Sequence, residues 1–521
     1  MKGAVAAGHR VTAEAGARVL AEGGHAVDAC IAAGFASWVA ESPLTGPGGG
    51  GFILVHRASD DSTRLLDFFV EVPGRGLEPH APAEMESVDV EFDRDTSQVF
   101  RIGAASCAVP GTIAGLAEAH RAYGKLPWKE LVVPAVEAAR EGVELTRPQA
   151  YLHAILDLIL RHSDEGRRVY GNDGSRLVAG DRLAMPDLAD TLEALGEGGA
   201  DLFYRGELAA RLSDYIRNEG GDVTREDLAA YRVISRRPVR TAFRGHEFVS
   251  NPPPSSGGLL IGYGLLLLDR LGSDGEPGSA EAISALVEAM REQTRARQGR
   301  FATDLHRGGL ARRLYSDANL ERAVERMRRR EAARAEPAGA PGTTHISVVD
   351  ANGDAASLTV SNGSGSGVIV PRTGIHLNNM LGEYDLNPAG GSRRAGRRLT
   401  SMMAPSLVLR DGRPRLVVGS AGSVRLRGAI LQIVVNVVEH GLSVADAIEL
   451  PRVHLEGSHV HCEGGADQAE LDRLASWGYE LVRWRRRNLY FGGASGVELR
   501  SDGTLAAAGD PRRGGAGLVV E

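Results

Sequence analysis

The pattern of apolar and polar positions divides the chain into a helix-rich first two thirds and a strand-rich remainder. Val11, Ala15, Val19 and Leu20 recur at helical spacing, and Gly23-Gly24 ends that helix. A second, almost wholly apolar helix over 27–40 runs into a glycine-rich turn, Thr45-Gly-Pro-Gly-Gly-Gly-Gly-Phe52. Phe52–His56 and Leu65–Val70 are short apolar runs and are predicted as strands. Helices dominate 113–231, and Asn251-Pro-Pro-Pro-Ser-Ser-Gly-Gly258 is an extended turn before another apolar helix. Residues 280–335 read as helical and charged; Arg328–Arg334 carries both signs and is predicted as a solvated face.

Pro337-Ala-Gly-Ala-Pro-Gly342 is a flexible linker by composition, and after it the periodicity changes. Thr344–Val349 alternates as a strand, Asp350-Ala-Asn-Gly353 is a hairpin turn, and Ala355–Ser361 returns. One strong helix, over 427–440, interrupts the strand-rich remainder.

At 521 residues the chain suits about three domains or one large layered one. A net charge of −7 and no basic stripe with interleaved aromatics argue against a nucleic-acid partner. Lysine occurs only at positions 2, 125 and 129, a sign of codon bias and not of a phosphate-binding surface. Three scattered cysteines (Cys30, Cys107, Cys462) make no disulfide framework. The N-terminus offers a six-residue weak apolar stretch, short of the roughly 7–15 residues of a secretory core. The longest apolar run, Leu259–Leu268, is well under the ~18 residues of a membrane helix. The expectation is a cytoplasmic protein with no membrane partner.

The linker-to-strand boundary carries the chemistry. If the Gly342–Thr343 bond is cut, Thr343 presents a hydroxyl and a free α-amine on one residue. An α-amine titrates near 7.7–8.0, so it can accept the hydroxyl proton without a His or Asp partner. An ordinary strand after a loop is the plainer reading of the same residues. Two other signals are weaker. Gly46–Gly51 follows a helix and precedes a strand, the wrong order for a dinucleotide fingerprint, and reads as a tight structural turn. His454, His459, His461 and Cys462 hint at a metal, since 459 and 461 project from one strand face. There is no G-x-S-x-G elbow.

Thr343-Thr-His-Ile-Ser-Val-Val-Asp350 resembles the maturation site of the γ-glutamyltranspeptidase family. The likeness continues in family order through Ala15–Asp28, Gly46–Phe52, Val109–Thr112, Pro252–Gly258, Gly374–Asn379, Ser401–Pro405 and Gly419–Gly422. The resemblance implies an α+β fold of the N-terminal-nucleophile hydrolase type, a four-layer αββα sandwich. It also implies self-cleavage into a large chain (1–342) and a small chain (343–521) that stay associated as one structural domain, with no metal or other cofactor. Thr343 would be nucleophile and, through its amine, base; Ser361 would orient that amine, in place of a family Thr. Gly422 and Ser423 match the Gly-Gly of the oxyanion hole. Thr400, Ser401 and Met402 match the substrate-carboxylate pocket, and Glu383 an Asp that binds the substrate α-amine.

The chain also departs from the family. Ungapped matching puts Glu78 where an Arg clamps the α-carboxylate, with Arg75 three residues earlier as a substitute. Losing that clamp would make simple γ-glutamyl anilides and glutathione poor donors. The loop Asn362–Gly367 is about two residues short, so Asn362 is the match for a substrate-contacting Asn only through a shifted loop. Residues 386–399 leave little length for a lid, which implies an open cleft. The expected partners are a small amide donor and a water or amine acceptor. The expected activity is γ-glutamyl transfer or hydrolysis. An acylase for another small carboxylated amide is the alternative, and a non-catalytic relative the remaining one.

Overall fold

The structure is a computed structural model and describes residues 2–78, 80–81, 83–93, 96–272, 275–331, 342–384 and 394–521. Two antiparallel sheets lie face to face. The first runs in the order 234–236, 62–68, 50–57, 355–361, 344–350, 3–7, 516–520, and the second in the order 239–243, 246–250, 406–410, 413–421, 493–499, 505–509.

Strand alternation sorts the core into three apolar layers. In the Gly3–Ala7 strand, Val5 and Ala7 face the helices while Ala4 and Ala6 face the other sheet; Ile53 and Val55 divide from Phe52 and Leu54 in the same way. In the second sheet Leu416 and Val418 pack on helices Gly257–Leu271 and Leu426–Val438, and Val417 turns inward. Helix, sheet, sheet, helix is the four-layer αββα sandwich that the resemblance implies.

The strongly periodic segments form as expected: helices Arg10–Ala21 and Ala26–Ala40, strands Gly50–Arg57 and Ser62–Phe68, and the Thr344–Asp350 and Ala355–Ser361 hairpin. Every residue of Ala26–Ala40 is buried, which is why its sequence is apolar on all sides. Its start is held by Asp28, whose carboxylate accepts from the His25 amide at 2.8 Å. The weak apolar stretch at the N-terminus is an interior strand next to the edge of the first sheet, pairing Ala7 with Ile346 on one side and with Ala516 on the other. The hairpin 86–93 with 96–102 is a further element absent from the sequence reading. Residues 385–393, most of the segment assigned above as too short for a lid, and 332–341, most of the linker, lie outside the described residues. Among the described residues no helix is long and apolar enough to cross a membrane.

Candidate active site

Thr344 pairs with Val360 across the central hairpin, so Thr343 stands opposite Ser361 at the end of the ladder. Both are buried, at 3% and 2% exposure. In the continuous chain the Thr343 hydroxyl meets the carbonyl oxygen of Gly342 and lies 3.4 Å from Ser361 Oγ. Ser361 Oγ donates to that same Gly342 oxygen at 2.5 Å and accepts from the Gly363 amide at 2.9 Å. One carbonyl is thus polarised by one hydroxyl and faced by a second that can attack it. Gly342 rests against the backbone of Gly363, and a Cβ on Gly342 would overlap the Gly363 carbonyl.

Two groups outside the sequence reading hold this strand end. Glu41, the residue that ends helix Ala26–Ala40, accepts from the Thr344 hydroxyl through Oε2 and from Thr12 Oγ1 at 2.8 Å through Oε1. Burial pushes the Glu41 carboxyl up to about 6, against the opposing pull of those hydroxyls and of Arg513. The N-terminal strand stops at Ala7, leaving the Thr343 carbonyl beyond the ladder, and Arg513 Nη1 donates to it at 3.2 Å. Burial draws the Arg513 guanidinium down to about 10, and Asp510 opposes the shift. A carboxylate closing a fully apolar helix was the one sequence signal for Glu41.

Gly422 and Ser423 follow the strand Arg413–Ala421 with φ of +122° and +50°. Both lie in the left-handed region, where a second Gly would be unstrained and Ser is not. Ala421 pairs with Gly493, whose ideal Cβ would lie 2.7 Å from Arg513 Nε, so Arg513 links this turn to the Thr343 carbonyl. Thr400, Ser401 and Met402 are buried, the last two against the Pro252–Gly258 turn. The Ser401 carbonyl accepts from the Ser256 amide at 2.8 Å, Ser401 Oγ from the Met403 amide at 3.0 Å, and Met402 Sδ from Ser256 Oγ at 3.6 Å. Glu383 reaches over Gly363; an ideal Cβ there would lie 2.8 Å from Glu383 Oε1.

The remaining candidates sit apart. Asn362 is fully buried, points under the Gly46–Gly49 turn and donates to the His376 carbonyl at 3.3 Å. Alternation from Ser361 turns it to that side, where it supports the glycine turn and has no surface for a substrate. Arg75 is held 3.5 Å from Glu71 and 3.8 Å from Asp227, its guanidinium flat on Gly396. Glu78 is exposed. The glycines at 49 and 51 let the chain approach the carbonyls of Ser361 and Thr359, which makes Gly46–Gly51 a structural turn. His454 and His461 face one another across a hairpin with Tyr490 beside both, His459 lies 3.6 Å from Glu480, and Cys462 is buried. No group of three metal-ligating side chains converges among the described residues.

A sequence profile described as gamma-glutamyltranspeptidase matches residues 12–520. The chain is 30% identical over 538 residues to the glutathione hydrolase proenzyme of Escherichia coli K12, covering 98% of this chain and 90% of that protein. It is 32% identical over 540 residues to the acylase ACY 1 proenzyme of Pseudomonas sp. SE83, covering 100% and 94%. Among solved structures, cephalosporin acylase from Bacillus halodurans shares the fold with a TM-score of 0.83 at 23% identity, covering 100% of this chain and 96% of that one. Helicobacter pylori gamma-glutamyltranspeptidase superposes with a TM-score of 0.52 at 28% identity, over 63% of this chain and 92% of that one.

Proposed function

The chain belongs to the γ-glutamyltranspeptidase family, and from that premise we propose that it cuts itself between Gly342 and Thr343 and then transfers acyl groups from small amides through Thr343. The observation that carries this is the shared Gly342 carbonyl, met by Thr343 Oγ1 and given a hydrogen bond by Ser361 at 2.5 Å. In processing, the Thr343 oxygen bonds to the Gly342 carbonyl carbon, the C–N bond to Thr343 breaks, and the hydroxyl proton passes to the departing nitrogen, which becomes the amine. Water then hydrolyses the resulting ester, leaving a Gly342 carboxylate and a free Thr343 amine.

In turnover the same oxygen attacks the donor amide. Its proton passes to the Thr343 amine and on to the departing amine, and water or an acceptor amine releases the acyl group. The amides of Gly422 and Ser423 are the proposed oxyanion donors, with Ser361 orienting the amine and Thr400–Met402 and Glu383 receiving the far end of the donor. Large chain 1–342 and small chain 343–521 remain paired because the second strand of the central hairpin is flanked by 50–57, and the first by 3–7.

A γ-glutamyl amide is the donor this reading favours, after the glutathione hydrolase relatives. A donor of the acylase type is the second reading, favoured by the match to ACY 1 along 100% of this chain. Intact-mass measurement of purified protein tests the core of the proposal. Two chains ending and beginning at Gly342 and Thr343 support it, and a single uncut chain of 55.2 kDa defeats it. A panel of γ-glutamyl and other acyl anilides then separates the two donor readings.

A further inference from the structure

Resting on that reading, the position of the scissile glycine shows where a donor must lie. The Gly342 carbonyl is the first acyl group that Thr343 attacks, so a donor's acyl carbonyl takes the same place. Outward from Gly342 the next backbone is Gly363, and over Gly363 stand Asn379 Oδ1 and Glu383 Oε1. Asn379 bonds on to the Arg101 carbonyl at 3.2 Å, and the ideal Cβ of Gly382 would lie 2.9 Å from Arg101 Cβ. The strand Thr96–Ile102 thus packs directly on the short turn Met380–Gly382 that presents Glu383.

Arg101 ends beside that carboxylate-bearing turn. Its guanidinium carbon lies 4.0 Å from the Tyr384 ring centre, one residue past Glu383. No carboxylate among the described residues forms an ion pair with it, and it is half-buried. Stacking on an aromatic face leaves the planar fork free to donate edgewise. Arg75, by contrast, is already spent on Glu71 and Asp227. We infer that Arg101 receives a carboxylate at the distal end of the donor's acyl group, so that this enzyme selects acyl donors ending in a carboxylate, with Glu383 adding a preference for an ammonium on the same carbon.

Kinetics with three p-nitroanilides test this: γ-glutamyl, glutaryl (carboxylate without ammonium) and valeryl (a methyl in place of the carboxylate). Wild type is expected to prefer glutaryl over valeryl. In Arg101→Gln that preference should fall at least about ten-fold, the worth of a charge-assisted pair, through KM more than kcat. Arg101→Lys should restore part of it. Self-cleavage of each variant into two chains reports that it has folded. A glutaryl-to-valeryl ratio unchanged in Arg101→Gln, or a loss through kcat equal for both donors, overturns the assignment and leaves the acyl-transfer reading intact. A processed wild type that cleaves none of the three defeats both.

Discussion

Gly342 and Gly363 touch backbone to backbone, with no room for a Cβ between them. The obstacle is a carbonyl oxygen, and it cannot swing aside cheaply: Gly363 has φ +69° and its amide is tied to Ser361 Oγ at 2.9 Å. Gly342→Ala must therefore push the scissile carbonyl off the Ser361 hydroxyl. Processing of this variant, followed by intact mass over time, should slow at least about ten-fold, the result of roughly 1.4 kcal/mol of added barrier. Cleavage at the wild-type rate would show that the strand end moves before it reacts.

Thr343→Ala should remain a single uncut chain without activity, because the same oxygen performs both reactions. Ser361→Ala keeps the nucleophile and removes the hydrogen bond on the scissile carbonyl. Removal of one such donor costs on the order of 10²–10³ in rate, so Ser361→Ala should be cut slowly and not abolished. Thr344→Ala should still be processed, at least in part. If Thr344→Ala were blocked and Thr343→Ala cut, the nucleophile would be the neighbouring residue.

Glu41 gives stability a specific pH dependence. Its carboxyl is raised from 4.5 to about 6 by burial, so between those values the folded chain holds a proton that the unfolded chain has lost. Stability from this group is full below pH 4.5 and declines as pH rises through 6, by about 2 kcal/mol in total. Glu41→Gln removes the titration. With both chains kept uncut by Thr343→Ala, the stability advantage of the one that retains Glu41 over the one that carries Glu41→Gln should shrink by that amount from pH 4 to pH 7. A difference independent of pH would mean that Arg513 and the hydroxyls of Thr12 and Thr344 cancel the effect of burial and leave Glu41 titrating as it does in the unfolded chain.

Period and punctuation revealed most of the sandwich, because Ala26–Ala40 and the Thr344–Ser361 hairpin carry their own signals. Gly3–Ala7 carried none: Gly-Ala-Val-Ala-Ala is weak in propensity, and it becomes an interior strand only through partners at 346–350 and 516–520. The site divides along the same line. Thr343 stood out where a linker meets a strand, and its proposed role came from the resemblance of residues 343–350 to the family's maturation site. Glu41 was not, since its role comes from Thr344, 303 residues away in sequence. Asn362 misled because its neighbour Ser361 faces the scissile bond, and one step along a strand reverses the side.

Turnover should rise with pH through a single amine titration. The Thr343 amine must be neutral to take the hydroxyl proton, and its reference value is near 7.7–8.0. kcat/KM for a p-nitroanilide donor should therefore fall in mildly acidic buffer, while chelators leave it unchanged. A strict need for a divalent ion would bring back the His454–Cys462 hairpin, where His454 is buried and held well below its usual value by desolvation.

Two arginines compete for the donor carboxylate, and single variants at Arg75 and Arg101 separate them. Arg75 sits in a pair of acids: Glu71, raised by burial and drawn down by Arg398 and Arg75, and Asp227, whose carboxylate also accepts the amides of Gly74 and Arg75 at 2.7 and 3.0 Å. For Arg75 to meet a donor it would have to leave both. Release leaves the buried Asp227 carboxylate without its cation and Glu71 with Arg398 alone, a cost on the order of 1–3 kcal/mol that offsets the gain from a new pair. Its cover, Gly396, lies on the segment that leads to Thr400, so loss of Arg75 disturbs a wall of the cleft and not its cation. Arg75→Ala should accordingly lower the melting temperature and raise KM for γ-glutamyl-p-nitroanilide by less than about three-fold, a change worth under ~0.7 kcal/mol. Arg101→Gln should raise it by about ten-fold or more. If the order is reversed, with Arg75→Ala crippling an otherwise efficient enzyme, the carboxylate clamp lies in the 67–78 segment after all, and Arg101 serves only to pack Tyr384.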